Sequence, residues 1–308
     1  MKRIVLFVVV VFAAITAIST ALGFAGDLYW VFDLFSNFRM QYFAAAFVAG
    51  IALFLLDRRV LSFLCAFVAL ANLGVIVPLY PVAPDGEQDV EEASIVKLLV
   101  LNLDVQNRQT ARLLELIDKH SPDTLVFLEF NERWQAELST VSTSYPHHLE
   151  YARQDNFGMA MFSRKAFDGK IVQNLGGPAL EATFANYKIF AAHPPPPITE
   201  SWAMLRDVHA QSLGLLLGEQ QGAALLVGDF NATPWSTAYR ALMRDSGLAD
   251  CGRSSGIQPS WPTGLWPLYI PIDHCFHNSK VTYVKKTLGP KIGSDHLPIF
   301  VEFAVATE

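Results

Sequence analysis

From Ile4 to about Gly26 the chain reads IVLFVVVVFAAITAISTALGFAG, with no charged side chain. Such a run exceeds the roughly 20 apolar residues needed to span about 30 Å of hydrocarbon, so crossing a bilayer is its simplest fate. Two more apolar runs follow, Gln41 to Leu56 and Val60 to Tyr80, the first near the short limit for a span and the second of comfortable length. About three transmembrane helices are therefore expected over residues 1–80. Overall the 308 residues are 52% hydrophobic and only 17% charged, an excess concentrated in this first part rather than spread along the chain.

Charge placement orients the spans. Lys2 and Arg3 precede the first run, while Arg58 and Arg59 separate the second from the third. Basic residues favour the cytoplasmic side, and three crossings then carry everything after Tyr80 across the membrane. The expected location is a multi-pass anchor in a bacterial inner membrane, with the remainder on the periplasmic or extracellular side. A cleaved signal peptide is the competing reading of the first run, disfavoured by its length and by the two later runs.

Pro81 to Ser94 (PVAPDGEQDVEEAS) is acidic, contains proline and has little apolar surface to bury, the composition of a linker. A domain over 95–308 is expected beyond it. Of three cysteines, Cys65 falls in an apolar run and reads as packing. Cys251 and Cys275 fall in the exported part, where a disulfide is permitted but not required. No Cys/His spacing suggests zinc.

Within 95–308, apolar segments of strand length recur: IVKLLVLNL, TLVFLEF, FGMAMFSR, KIFAAH, ALLVGDFN, IDHCFHN and LPIFVEFAV. Helical spacing separates some of them. Thr110 to His120 places Leu113, Leu114 and Ile117 on one face, and Ser201 to Leu217 behaves similarly before Gly218. Alternating strands and helices predict one α/β domain with sheet between helical layers.

The chemistry gathers at the ends of those strands. Asn102 and Asp104 close the first, Glu129 the second, His193 the strand KIFAAH, and Asp229 and Asn231 the strand ALLVGDFN. Asp273 and His274 end LYIPIDH, and Asp295 and His296 open the last strand. An apolar scaffold would hold these polar groups together at its rim.

In order, NLD at Asn102, LEF at Glu129, GMAMFSR after Asn156, AAHPPPP at His193, GDFN at Asp229, PIDH at Asp273 and SDHLP at Asp295 resemble the endonuclease/exonuclease/phosphatase superfamily, which includes deoxyribonuclease I, exonuclease III, inositol polyphosphate 5-phosphatases and neutral sphingomyelinases. The resemblance covers nearly all of Val96 to Phe303. It implies a four-layer α/β sandwich, two face-to-face mixed sheets flanked by helices, with a cleft at the strand ends. It also implies roles: Glu129 as principal Mg²⁺ ligand, assisted by Asn102 and Asp295, with Mn²⁺ as a substitute. Asp273 would orient His296, Asp229 and Asn231 would orient or deprotonate the attacking water, His193 would donate to a phosphoryl oxygen, and Asn156 would contact substrate. A hard cation with oxygen ligands suits this set, and in-line attack by water needs no covalent intermediate.

Blander readings apply to other residues. Asp104 fits turn chemistry as well as metal assistance. His274 reads as a polar strand-end contact, and Trp235, Trp261 and Trp266 read as core or rim packing rather than cleft walls. The expected activity is that of a metal-dependent phosphodiesterase or phosphatase, and membrane tethering with an exported site points to a lipid headgroup, a periplasmic phosphoester or extracellular nucleic acid as substrate. Its rivals are an endonuclease or exonuclease acting on DNA or RNA, and a membrane-bound binding protein with a retired site. From Ile95 onward eighteen Lys and Arg face twenty-one Asp and Glu, which disfavours a long duplex as substrate.

Overall fold

The computed structural model describes residues 1–80, 95–173, 175–253 and 255–305; the expected linker, 81–94, lies outside the described residues. The chain divides into two compact units, one of residues 1–81 with 233–237, the other of 82–232 and 238–308.

The first unit is helical: α1 (Lys2–Phe24), α2 (Trp30–Ser36), α3 (Arg39–Leu55) and α4 (Arg59–Ile76), the last continued by a 3₁₀ turn at Val77–Leu79. Two helical stretches, Lys2–Phe24 and Arg59–Leu79, are long and apolar enough to cross a membrane, with mean hydropathies of 2.7 and 2.5. A third span is counted if α2 and α3, bent by 64° at the break between them, form one. The middle run thus differs from the simple span expected. A buried polar cluster marks its start: Arg39 Nη1 donates to the Thr20 carbonyl at 3.2 Å and to Asn72 Oδ1 at 3.4 Å, and Asn72 Nδ2 donates to Thr20 Oγ1 at 3.0 Å.

The second unit is a four-layer α/β sandwich. One six-stranded sheet contains β1 (Ile95–Asn102), β2 (Thr124–Leu128), β3 (His147–Tyr151), β4 (Met159–Ser163), β11 (Val281–Leu288) and β12 (Ile299–Val305), ordered β11-β12-β1-β2-β4-β3. The other contains β5 (Asp168–Val172), β6 (Ala179–Thr183), β7 (Tyr187–Ala192), β8 (Ala223–Asp229), β9 (Ala249–Asp250) and β10 (Asp273–His277), ordered β5-β6-β7-β8-β10-β9. Each sheet is mixed, with one parallel pair near its centre, β1 with β2 and β7 with β8.

A parallel pair requires a crossover. Here α5 (Thr110–His120) joins β1 to β2, and α7 (Glu200–Gly218) joins β7 to β8. Strand alternation explains why these strands read as nearly continuous apolar runs. Leu98 and Val100 face the opposite sheet with Leu225 and Val227, while Leu99 and Leu101 pack outward on Leu113, Leu116 and Ile117 of α5. Phe190 and Leu226 likewise pack on Leu213 and Leu217 of α7, with Leu242 of α8 (Thr237–Ser246). Both crossovers leave the two parallel pairs with their carboxyl ends at one rim of the sandwich, which is where the polar strand-end residues lie.

A candidate hydrolytic site at the strand ends

Asp229 is the hub. Its Oδ2 accepts from Asn102 Nδ2 at 3.1 Å and lies 3.3 Å from His193 Nε2 and 3.5 Å from His296 Nε2. Its Oδ1 accepts from the Asn231 N–H at 2.9 Å. Behind His296, Asp273 Oδ2 pairs with Nδ1 at 2.8 Å. Asn231 Nδ2 lies 3.3 Å from His193 Nε2 and donates to the Pro194 carbonyl at 3.0 Å. Strands β8 and β10 hold Asp229 opposite Asp273 in register, so the two carboxylates leave one rim together.

Glu129 joins through Asn102, whose Nδ2 also donates to Glu129 Oε1 at 3.1 Å, while Glu129 Oε2 accepts from the Val105 N–H at 3.2 Å. Asp295 lies half-exposed, 3.9 Å from His296 Nε2. Ser294 ties that last strand to the first: its hydroxyl donates to the Asn102 carbonyl at 2.7 Å and accepts from the His296 N–H at 3.0 Å. Asn102, Glu129, His193, Asp229, Asn231, Asp273, Asp295 and His296 thus form one connected cluster.

Backbone geometry shows what it takes to present them. Two of the five non-glycine residues with positive φ among the described residues belong to the cluster, Glu129 at 55° and Asn231 at 49°, and a third, Asp104 at 57°, follows Asn102 by two residues. Left-handed conformations cost energy for such residues and cluster where function requires them. The glycine of GDFN has a plainer cause: a Cβ on Gly228 would sit 1.9 Å from the Ala192 carbonyl oxygen of the neighbouring strand.

Electrostatics separates the groups. Burial opposes the charge on His296, but Asp273 and then Asp229 outweigh it and push its pKa up to about 10. Burial would raise Asp229, yet His296, His193 and the Asn231 N–H hold it down to about 2. His193 is also raised, its hydrogen bond to Asp229 overcoming burial. Glu129 and Asp295 shift the other way, each raised chiefly by desolvation. Near neutral pH the cluster therefore holds the Asp229 anion against a protonated His296. Among the described residues, the two further carboxylates, Glu129 and Asp295, have no lysine or arginine ion-pair partner.

Not every candidate enters the cluster. Asn156 is exposed on the β3–β4 loop, where its neighbour Phe157 packs 5.7 Å from the His193 ring; Asp155 is held by Arg153. Asp104 performs turn chemistry, its Oδ1 accepting from the Gln106 N–H. His274 is buried against the Ala232 carbonyl at 2.8 Å, a structural contact as expected. Trp235 is buried and Trp266 is 80% exposed. Trp261 departs from the packing expected of it: its Nε1 donates to Asp295 Oδ2 at 2.8 Å and its ring lies 6.4 Å from that of His296. The only sequence signal for that contact is an aromatic residue upstream of PIDH. Cys251 and Cys275 form a disulfide across β9 and β10.

Two facing mixed sheets with acids, amides and histidines at one rim define a class of α/β sandwich hydrolase scaffold. Residues 99–296, well over half of the chain, match the Endonuclease/Exonuclease/phosphatase family, and the chain belongs to it. Members of that family are hydrolases, mostly metal-dependent phosphoesterases, and include phosphodiesterases, phosphatases and nucleases. Similar solved structures include the endonuclease/exonuclease/phosphatase from Bacteroides vulgatus (TM-score 0.58, 16% identity, 69% of this chain and 99% of that one). D. rerio TDP2 complexed with single strand DNA product is another (TM-score 0.56, 18% identity, 69% and 100%). An AP endonuclease from Archaeoglobus fulgidus is a third (TM-score 0.54, 15% identity, 67% and 98%). At such identities the likeness is one of fold. No curated protein sequence matches the chain.

Proposed function

We propose that this protein is a membrane-anchored, Mg²⁺-dependent phosphodiesterase or phosphatase whose site faces away from the cytoplasm. The observation that carries the reading is the Asp229 carboxylate set between two buried imidazoles, one of them backed by Asp273.

Glu129 and Asp295, with the Asn102 amide, would hold the metal. Among the described residues Glu129 receives only neutral donors, Asn102 and the Val105 N–H, with no hydrogen-bonded cation beside its carboxylate. Oxygen donors of this kind suit a hard divalent cation, Mg²⁺ or in its place Mn²⁺. The Asn102 amide places its nitrogen toward the carboxylates, and a half-turn exchanges that nitrogen for the oxygen. When bound, the cation supplies Lewis-acid neutralisation of charge on the phosphate oxygens.

The remaining work falls to the chain. Asp229, an anion at neutral pH, accepts a hydrogen bond from the attacking water and aims it. His193 and Asn231, 3.3 Å apart, donate to non-bridging oxygens. His296, kept protonated by Asp273 and Asp229, places positive charge where negative charge grows. Asn156 on its exposed loop contacts the rest of the substrate.

The chief rival reading, a nuclease, draws on the single strand DNA product in the TDP2 complex and on the AP endonuclease likeness. The test uses the full chain with Mg²⁺ or with chelator on bis-p-nitrophenyl phosphate, phospholipid vesicles and supercoiled plasmid. Chelator-sensitive ester hydrolysis, lost in Glu129→Ala, is expected. Plasmid nicking far above any ester turnover establishes the nuclease instead, and hydrolysis unaffected by Glu129→Ala overturns the metal site. A reporter fused after Glu308 should read as exported; a cytoplasmic signal reverses the proposed side.

A further inference from the structure

Among the described residues strand β11 is an edge strand paired only with β12, and its register slips by one residue. Tyr283 lies opposite Phe303, but Lys285 lies opposite Glu302 and Lys286 opposite Val301, so Val284 is extra. With strict alternation, Val281 and Tyr283 facing the core would be followed inward by Lys285, leaving Lys286 to solvent. A bulge reverses that phase. Lys285 and Val284 are exposed, and Lys286, opposite Val301, is driven into the layer between the sheets at 3% exposure.

An ammonium in an apolar layer is costly unless something compensates it, and a methionine would fill the same space without that cost. Burial pushes the Lys286 pKa down, opposed by the charges of Asp250 and then Asp273. Asp250 is itself held by the Tyr239 hydroxyl and the Gly252 N–H. The direct contact of Lys286 is narrower: Nζ donates at 2.9 Å to the main-chain carbonyl of Asp273. That residue's carboxylate is the partner of His296, and its N–H donates to Ser260 Oγ at 3.3 Å. The carbonyl after the Asp273 Cα is thus gripped from the opposite sheet, and the N–H before it is held by Ser260.

We propose that Lys286 is a positioning residue for phosphoester hydrolysis, reaching across the sandwich from β11 to fix the Asp273 peptide and with it the carboxylate that orients His296. The proposal rests on the reading of Asp273 and His296 as part of the hydrolytic site.

The test compares Lys286→Met, Lys286→Arg, Asp273→Asn and the Lys286→Met/Asp273→Asn double variant in the full chain, with Mg²⁺ and bis-p-nitrophenyl phosphate. Lys286→Met is expected to lower kcat by about 10-fold or more with KM changed less than about 3-fold, and Lys286→Arg to recover most of it. In the Asp273→Asn background the Lys286→Met change should cost less than about 2-fold, because the group being positioned is already gone. Wild-type kcat in Lys286→Met, or an undiminished loss in the double variant, overturns the proposal. If Lys286→Met does not fold, Lys286→Gln, which keeps a donor but is too short to reach, carries the same expectation and the same overturning result. A second readout needs no turnover: in ¹⁵N-histidine-labelled protein, the His296 Nδ1 proton should shift in Lys286→Met and return in Lys286→Arg. An unmoved resonance overturns the role of Lys286 even if no ester is cleaved, whereas a wild-type chain that cleaves nothing while the resonance moves overturns only the hydrolytic reading.

Discussion

His209 and His296 are buried alike, at 0% and 4% exposure, yet the fold gives them opposite charge states. His209, on α7, lies against the Gly176–Gly177 backbone so closely that a Cβ on Gly177 would be 2.5 Å from its Nδ1. Neither ring nitrogen has a hydrogen-bond partner among the described residues, and burial, helped by His193, pushes its pKa down to about 4. His296 has Asp273 and Asp229 within 2.8 and 3.5 Å and is pushed up to about 10. Burial alone therefore does not decide an imidazole's charge; the carboxylates placed beside it do. The strand-end rim is where this fold places them.

The hardest way to break the contrast is to remove the hub. Asp229→Asn takes away a charge that both His193 and His296 rely on, and kcat should fall by about 10³-fold or more while the fold persists, measured with the best ester and Mg²⁺. Next comes the partner behind His296. Asp273→Asn should cost about 10²-fold in kcat and move the basic limb of the pH–rate profile from near 10 toward the ordinary histidine range. A basic limb left in place would show that His296 owes its charge to something else.

The smaller effects appear in stability. Because folding raises His296 from 6.5 to about 10, its contribution is complete below about pH 6.5 and disappears as pH rises through 10. His209 runs the other way: lowered from 6.5 to about 4, it contributes fully above 6.5 and loses that contribution as pH falls through 4. His209→Leu should therefore flatten the fall in stability between pH 6.5 and 4, followed by denaturant unfolding, with kcat within about 2-fold of wild type.

Much of this is legible in the sequence itself. The helix expected over Thr110 to His120 appears with those bounds, because its apolar face has the right period and Ser121 ends it in a left-handed turn. Strands β1, β2, β4, β7, β8, β10 and β12 are readable as apolar runs, and their polar ends mark the rim, whereas β3, β5, β6, β9 and β11, shorter or broken by polar residues, are not. What escaped depends on contacts between distant segments. Trp261 reaches Asp295 across 34 residues, and nothing local distinguishes it from a packed indole. Lys286 is turned inward by a one-residue slip that no alternation pattern encodes. Pairing of Cys251 with Cys275 needs their Cα atoms 5.4 Å apart, which β9 and β10 provide. The bend between α2 and α3 surrounds a buried Arg39, whose partners Thr20 and Asn72 come from other helices.

The left-handed backbone at Glu129 bears on how this protein would respond to selection for heat tolerance. At a φ of 55°, glycine meets no Cβ penalty, so Glu129→Gly should gain up to about 1 kcal/mol, read as a raised denaturant midpoint. A laboratory search that rewards only thermal survival would therefore drift toward deleting the carboxylate proposed to hold the metal. Keeping glutamate there would trade robustness for the proposed chemistry, and its left-handed backbone marks where that trade is made.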